Sequence, residues 1–402
     1  MIEFRFNFID IFRAPRLALS AKKIWTQFRA LALGLILYNL FAYAAFAVSG
    51  ADVYRLWSTY YLFPPVAVAL AYPLTLAGYL LWAAGTIAFF VVAFLGMTAV
   101  AKITIEQLRG NDFLSRKEAG QYVRRHWRPV VFTPLALLAS LALLFGSGLL
   151  VGLIGKIPWV GDVAAGLSFV PLFLGGLLFL FLALVFAVSF WLTPAIVAST
   201  GDDTFETSFE LFSTLSGQPW RLILYQFLLR VLTFSGAAVF AAFAAAAVKL
   251  VYIALYLPMG YKFAVAFEAA WRVMPSFYRG AYPGLCPPLV WVSESGVAAW
   301  LAPAAGGTLP LPWPQAIAAT LLSLGLLVIL GIVAAYSLNV NTVGQTIIYT
   351  ILRKRKDDES LLEMYDDELE QAMITLERER QAAPPAAEGA AEAEPETDEG
   401  GN

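Results

Sequence analysis

The chain has 402 residues, of which 59% are hydrophobic and only 14% are charged, and its mean hydropathy is +0.70. Soluble domains are typically about 45–50% apolar and about 25% charged, so this composition excludes an ordinary soluble domain and indicates a multi-pass membrane protein. The single cysteine, Cys286, excludes an internal disulfide, and with His126 as the single histidine the chain lacks the ligands of a Cys/His metal site. We also predict no metal site and no cofactor.

Charge is unevenly distributed along the chain. The stretch from Asp357 to Asn402 contains 16 acidic and two basic residues, a net charge of −14, and the chain as a whole carries −2. The remaining residues therefore carry +12, which suits a body that lies against an anionic bilayer. We expect membrane lipid as a partner and no nucleic acid.

Six apolar runs are long enough to cross a bilayer as helices. Before them, residues 1–29 are basic and aromatic and are predicted to lie on the membrane surface. The spans are predicted at about 30–48, 75–104, 130–155, 166–198, 220–250 and 315–337. Residues 49–74 are predicted to be interfacial or re-entrant, and residues 257–314 to form a cap on the outer face.

A repeated unit precedes three of these spans, and we call it an elbow: a surface helix that leads into a membrane hairpin. The second elbow starts at Gly110 and the third at Gly201, and each begins with a glycine turn, continues as an amphipathic run and ends at a tryptophan. A looser copy forms the first elbow, so that Trp25, Trp127 and Trp220 each open a hairpin. The three hairpins are therefore predicted to be parallel repeats. This favours an all-α bundle of about six helices.

Basic residues are concentrated in the N-terminal leader, in the 102–128 loop and in residues 353–356. Because basic residues favour the cytoplasmic side, both termini and the three elbows are predicted to be cytoplasmic. The acidic 199–221 loop supports this only weakly.

Arg230 is the most prominent candidate site residue. It lies ten positions beyond Trp220, which at helical rise is about 15 Å along the span. A charge at such a depth usually faces the protein interior, so Arg230 is a candidate intramembrane contact for an anion or a lipid phosphate. The alternatives are a structural arginine bonded to carbonyls or to an amide such as Asn39, or one that extends towards the interface.

A polar stretch from Asn339 to Gln345 is predicted to interrupt the last span before Ile347 to Leu352 resume it. Unwound backbone there could line a solute path. The favoured interpretation is that the helix bends as it leaves the membrane, because the basic run Arg353 to Lys356 follows closely.

Three other residues have ordinary structural explanations. His126 is predicted to pack on the apolar side of the second elbow, next to Trp127. Asp203 is predicted to cap the third elbow helix, as Ser115 and Glu118 cap the second. Cys286 is expected to be a free thiol in the outer cap.

After the basic run, residues 357–380 are predicted to form a cytoplasmic amphipathic helix, and residues 381–402 to be disordered. The helix carries an apolar stripe made of Leu361, Leu362, Tyr365, Leu369, Met373 and Leu376. This stripe could bind a cytoplasmic or membrane protein, including a second copy of this chain. It could equally pack on the elbows of its own chain.

The elbow, with Pro194 to Val197, Gly201 to Asp203, Phe205, Phe209 and Pro219 to Arg221, resembles an element of uncharacterised bacterial multi-pass proteins. These include the membrane domain attached to some glycerophosphoryl diester phosphodiesterases. The closing segment Ile348 to Arg353 is similar to the end of such proteins. The resemblance implies a bacterial cytoplasmic membrane location and a fold; the phosphodiesterase domain is absent, so no activity carries over.

Nucleotide-binding, serine hydrolase and zinc protease motifs do not occur in the sequence, and we expect no enzyme activity. The predicted role is a membrane scaffold or assembly factor that organises lipid or protein partners at the cytoplasmic face. The alternative is a permease or export component for an anionic or lipidic solute, with Arg230 as its contact.

Overall fold

A computed structural model of the chain describes residues 4–60, 64, 73–271, 312–358, 360–362 and 375. The described chain folds as α-helices, and six of them are long and apolar enough to cross a membrane. The prediction of an all-α multi-pass membrane protein is therefore confirmed.

The described elements begin with a 3-10 helix, Phe8–Arg13, and continue as eleven α-helices. In chain order these are α1 (Ala14–Ala18), α2 (Ala21–Val48), α3 (Val53–Tyr60), α4 (Leu76–Leu108), α5 (Arg116–Arg125), α6 (Trp127–Ile154), α7 (Val160–Thr200), α8 (Thr204–Gly217), α9 (Pro219–Met259), α10 (Tyr261–Trp271) and α11 (Trp313–Asp357). The six long helices are α2, α4, α6, α7, α9 and α11. They pair as α2 with α4, α6 with α7, and α9 with α11.

Each hairpin directly follows a surface element, as the elbow pattern predicts. The 3-10 helix and α1 precede α2, while α5 precedes α6 and α8 precedes α9. Gly110 and Gly201 adopt positive φ angles of 95° and 77°, which a glycine tolerates without strain, and so the chain can turn sharply after α4 and α7. The predicted caps are confirmed: Ser115 and Glu118 form a capping box on α5, and the Asp203 carboxylate accepts two backbone N–H bonds at the start of α8.

The centre of the fold is the second half of α11, where the residues from Val340 to Leu352 are all buried. Helices α2, α4, α7 and α9 all pack against α11, as do α1 and α10. The predicted interruption between Asn339 and Gln345 is wrong, because α11 is continuous from Trp313 to Asp357. The polar side chains there sit inside the bundle, where surrounding helices allow a helix to carry them.

The start of the C-terminal region also differs from the prediction. Arg353 to Lys356 belong to the last turns of α11, which ends at Asp357 and is followed by Asp358 in a left-handed conformation, so no new helix begins at Asp357. Ser360 and Leu361 are then buried against the bundle. The remainder of the predicted 357–380 helix, the disordered tail, and most of the outer cap beyond Trp271 lie outside the described residues, apart from residue 375.

Candidate functional site

The first and third elbows contact the end of α11, and the second elbow packs on α4 and on the end of α7; we call this assembly the elbow platform. It comprises the 3-10 helix with α1, helices α5 and α8, and the segment from Arg353 to Leu362. Its internal contacts are polar side chains that connect elements far apart in sequence. They determine how the platform is held to the membrane helices.

The first elbow is tied to α11 at two points. The guanidinium of Arg355 donates to the Phe6 carbonyl oxygen at 3.1 Å and to the Asn7 side-chain oxygen at 2.6 Å. Closer to the middle of α11, the Tyr336 hydroxyl donates to the Pro15 carbonyl oxygen at 3.2 Å. The N-terminal segment is therefore fixed along the central helix.

The third elbow is held by the carboxylate of Glu210, which is 8% exposed. It pairs with Arg353 at 3.0 Å and with Lys356 at 3.1 Å, both on the last turns of α11. Arg353 also pairs with Asp357 at 2.9 Å, so each charge in this cluster has an opposite charge beside it. Such a buried cluster depends on all its members, since removing one leaves an uncompensated charge.

The second elbow is joined to the bundle through Arg109 and Tyr122. Arg109 pairs with Glu106 at 3.2 Å and donates to the carbonyl oxygens of Ser199 at 3.4 Å and Leu361 at 3.0 Å. Tyr122 on α5 donates to the carbonyl oxygen of Val197 on α7. These bonds connect α4, α5, the end of α7 and the segment that follows α11.

Burial perturbs two titratable groups of the platform. Burial raises the pKa of the Asp202 carboxyl, and nearby Glu206 and Glu210 raise it further, whereas Thr200 and Arg353 act in the opposite direction. Burial also raises the pKa of the Tyr122 phenol, and the charge of Asp202 adds to this effect. Asp202 is therefore easier to protonate than a surface carboxyl.

The outer surface of the platform is basic and aromatic. Phe113, at the turn before α5, is 93% exposed. Five basic side chains on or next to α5 are exposed: Arg116, Lys117, Arg124, Arg125 and Arg128. Three tryptophans at the hairpin starts are also exposed: Trp25, Trp127 and Trp220. Basic and aromatic side chains together suit the headgroup layer of an anionic membrane.

Inside the bundle, α11 carries three buried amides with different environments. Gln345 exchanges two hydrogen bonds of 2.7 Å with Gln226 on α9. Asn339 and Asn341 are 0% and 3% exposed, and neither amide has a hydrogen-bond partner in the described part of the chain. A buried amide without a hydrogen-bond partner lowers the stability of the fold, so two such amides on one helix are unusual.

The structure describes three of the predicted site residues: Arg230, Leu361 and Leu362. Arg230 is exposed on the outer surface of the bundle, with its guanidinium 3.9 Å from the ring centre of Trp191, so the prediction that it faces the bundle interior is wrong. Leu361 is fully buried in the main core and Leu362 packs beside it, so this part of the stripe contacts its own chain. Tyr365, Leu369, Met373 and Leu376 lie outside the described residues.

His126 is half-buried and stacks on Tyr122, with ring centres 4.2 Å apart, as its predicted packing on the elbow requires. The contacts of Arg109 and the cluster around Glu210 were not predicted from the sequence. The sequence shows only that these residues are charged; no spacing pattern indicates that Glu210 contacts Arg353. Among the described residues, no group of three metal-ligating side chains is found.

No family model, curated protein or solved structure matches this chain. The resemblance to bacterial multi-pass proteins therefore remains a prediction.

Proposed function

We propose that the protein is a non-enzymatic integral membrane scaffold that holds protein partners and lipids at the elbow platform. The observation that carries this proposal is that the end of α11 is bonded to the first and third elbows, while Arg109, which directly precedes the second elbow, is bonded to Leu361 beyond α11. An arrangement of this kind holds three surface elements in a fixed relation to one another. A fixed surface is what a binding partner needs, since it lowers the entropy lost on association.

The contacts of the charged side chains inside the platform also support a scaffold function. Glu210 pairs with both Arg353 and Lys356, and Arg109 pairs with Glu106 and donates to two carbonyl oxygens. These charged groups join elements of the same chain, whereas the exposed basic side chains of α5 are accessible to solvent or headgroups. The platform therefore offers its outer surface for binding.

The proposed location is the cytoplasmic membrane of a bacterium, with both termini and the platform cytoplasmic. The exposed basic residues of α5 and of the first elbow support this orientation, because short cytoplasmic segments are enriched in lysine and arginine. Residues beyond Leu362 follow the platform in the chain and hold 13 of its 29 acidic residues, so they would extend the binding surface for a protein partner.

Extraction into native nanodiscs followed by quantitative mass spectrometry tests this proposal. The comparison uses the full chain, a chain ending at Leu362, an Arg124→Glu and Arg125→Glu double variant, and a Lys156→Glu control. Ending the chain at Leu362 retains the buried Leu361, and Lys156 is an exposed cation at the far end of the α6–α7 hairpin.

A stoichiometric protein partner that is retained by the full chain and by the control, but lost from the shortened chain or the double variant, is the expected result. If all four preparations contain the same lipids and no stoichiometric protein, the scaffold proposal is wrong.

A permease is the second candidate, because the unpartnered amides of Asn339 and Asn341 place polar groups inside the bundle. Transport would require these amides to contact the solute. In proteoliposomes, an Asn339→Leu variant that loses solute efflux while retaining its protein partner would favour the permease over the scaffold.

A further inference from the structure

Arg230 lies on the outer face of α9, opposite α7. Its guanidinium carbon is 3.9 Å from the centre of the Trp191 ring, which is a cation–π contact across the gap between the two helices. In the described part of the chain, no carboxylate lies within ion-pair distance of Arg230. The positive charge is therefore held in place without being neutralised.

The surface around Arg230 is apolar and accessible. Phe227 and Phe234, which lie three positions before and four positions after it on the same face of α9, are 69% and 39% exposed. An apolar exposed face of a membrane helix contacts lipid, so Arg230 projects from a surface that acyl chains cover. A guanidinium there needs an anionic partner or water at its N–H groups.

The position of Arg230 along α9 places it near lipid phosphates. No charged residue occurs between Arg230 and Lys249, a stretch of 18 residues. At helical rise the two charges are about 28 Å apart, close to the hydrocarbon thickness of a bilayer of about 30 Å. Arg230 therefore lies at the hydrocarbon boundary on the elbow side, which corrects the mid-membrane depth obtained by counting from Trp220.

The cation–π contact with Trp191 is not a hydrogen bond, so the five N–H donors of the guanidinium can still bind a ligand. A phosphate can accept two of these bonds in parallel, which is the geometry that arginine provides and lysine does not. A zwitterionic headgroup would bring its own cation near Arg230, so an anionic headgroup fits better.

We propose that Arg230, held on the face of Trp191, binds the phosphate of an anionic phospholipid in the leaflet on the elbow side, between α7 and α9. This site does not rest on the scaffold function, because a lipid can bind here whether or not a protein binds the platform. The proposed site lies on the surface of the bundle, so Arg230 does not require an anion path through the bundle interior.

Native mass spectrometry of the full chain tests the site. The protein in phosphatidylcholine-based micelles is titrated with phosphatidylglycerol, and the dissociation constant of the first bound lipid is measured. The variants are Arg230→Gln and Trp191→Leu, and the matched control is Arg221→Gln. Arg221 also stacks on a tryptophan, Trp220, at 5.2 Å, but lies nine positions nearer the start of α9.

Loss of a charged hydrogen-bond partner is expected to weaken binding about tenfold or more in Arg230→Gln, with a smaller loss in Trp191→Leu. Arg221→Gln should bind as the unmodified chain does, and millimolar inorganic phosphate should not displace the lipid. Thermal midpoints measured beside the titration show whether each variant is folded, and an exposed Arg230 should leave them unchanged.

Three results would overturn the proposal. The first is unchanged affinity in Arg230→Gln, and the second is an equal loss in Arg221→Gln, which would indicate a diffuse charge effect. The third is displacement by inorganic phosphate, which would indicate a site for a free anion. A protein partner retained in all variants would show that the scaffold function survives independently.

Discussion

At the scale of single residues, the amides inside α11 differ in whether they have a partner. Gln345 is bonded twice to Gln226, whereas the amide of Asn341 has no partner within the described chain. Both side chains are buried on the same helix, so the comparison isolates the hydrogen bonds. A buried polar group without a partner costs stability, and one with a partner contributes to it.

We therefore predict opposite effects for the same substitution at these two positions. Asn341→Leu should raise the free energy of unfolding by about 1 kcal/mol or more, and Gln345→Leu should lower it by about 1–3 kcal/mol, because Gln226 is left without its partner. Thermal unfolding of the two variants in one detergent measures both. A loss of stability in Asn341→Leu as large as that in Gln345→Leu would show that Asn341 has a partner, such as water.

Asp202 gives a prediction about pH. Its carboxyl has a raised pKa because of burial, so the folded protein favours the protonated form. The stability that this group contributes is present below its unfolded value of 3.8 and is lost as the pH rises through the higher folded value. An asparagine at position 202 does not titrate, so the Asp202→Asn variant does not lose this stability as the pH rises through this range.

The thermal midpoint of Asp202→Asn should therefore rise relative to the unmodified chain as the pH increases from about 4 to about 7. Asp162→Asn is a suitable control, since Asp162 is exposed at the far end of the α6–α7 hairpin. A difference between the two proteins that stays constant across this range would contradict the assignment.

The direction in which Arg230 points cannot be read from the sequence. Its distance from Trp220 along the helix can be counted, but α9 is apolar on nearly every side, so no stripe indicates which face is directed outward. The sequence predicted an inward face from the general cost of intramembrane charge. The contact with Trp191, 39 positions earlier in the chain, settles the face.

At the scale of elements, the packing of α11 depends on small residues at its contacts. Gly344 faces Leu229 of α9 so closely that an added methyl group would overlap that side chain, whereas Gly325 on the same helix faces open space. Gly344→Ala should lower the free energy of unfolding by about 1–3 kcal/mol through overpacking, and Gly325→Ala should not lower it. Thermal unfolding of both variants tests this, and equal midpoints would contradict the packing of α9 on α11.

The third elbow depends on a single carboxylate. Glu210→Gln removes the charged group that α8 offers to both Arg353 and Lys356, which still pair with Asp357. The change should cost about 2 kcal/mol because hydrogen bonds to charged groups are lost. Hydrogen–deuterium exchange should then show faster exchange in α8 and at the end of α11, with α2 unchanged. Exchange that stays the same in α8 would mean that apolar packing alone holds this elbow.

Local signals predicted the elements well and their contacts poorly. The glycine turns and caps of α5 and α8 are set by residues within a few positions of one another, so the sequence contains them. The close approach of helices is not local. Gly148 and Gly152 have the spacing of a helix contact but face open space, whereas Gly96 packs against Gln27 and Ala30.

At the scale of the whole molecule, three hairpins each follow an elbow, and the first and third elbows are bonded to the end of α11. The sequence predicts the repeat and its parallel order from the spacing of Trp25, Trp127 and Trp220. It does not predict that α11 is enclosed by the other helices, because enclosure depends on how six similar apolar helices choose their neighbours. The predicted outer cap and tail lie largely outside the described residues.

The proposed platform requires the three elbows to lie on one side of the membrane, and cysteine labelling measures this directly. In a Cys286→Ser chain, single cysteines replace one exposed residue of each elbow and two exposed residues at the opposite ends of the hairpins. The elbow positions are Arg16, Lys117 and Glu206, and the opposite positions are Asp52 and Asp162.

With a membrane-impermeant maleimide, intact cells should label only the cysteines at positions 52 and 162, and permeabilised cells should label all five. This result would place the elbow platform on the cytoplasmic side. Labelling of any elbow cysteine in intact cells, while another elbow stays protected, would contradict the platform and the scaffold function built on it.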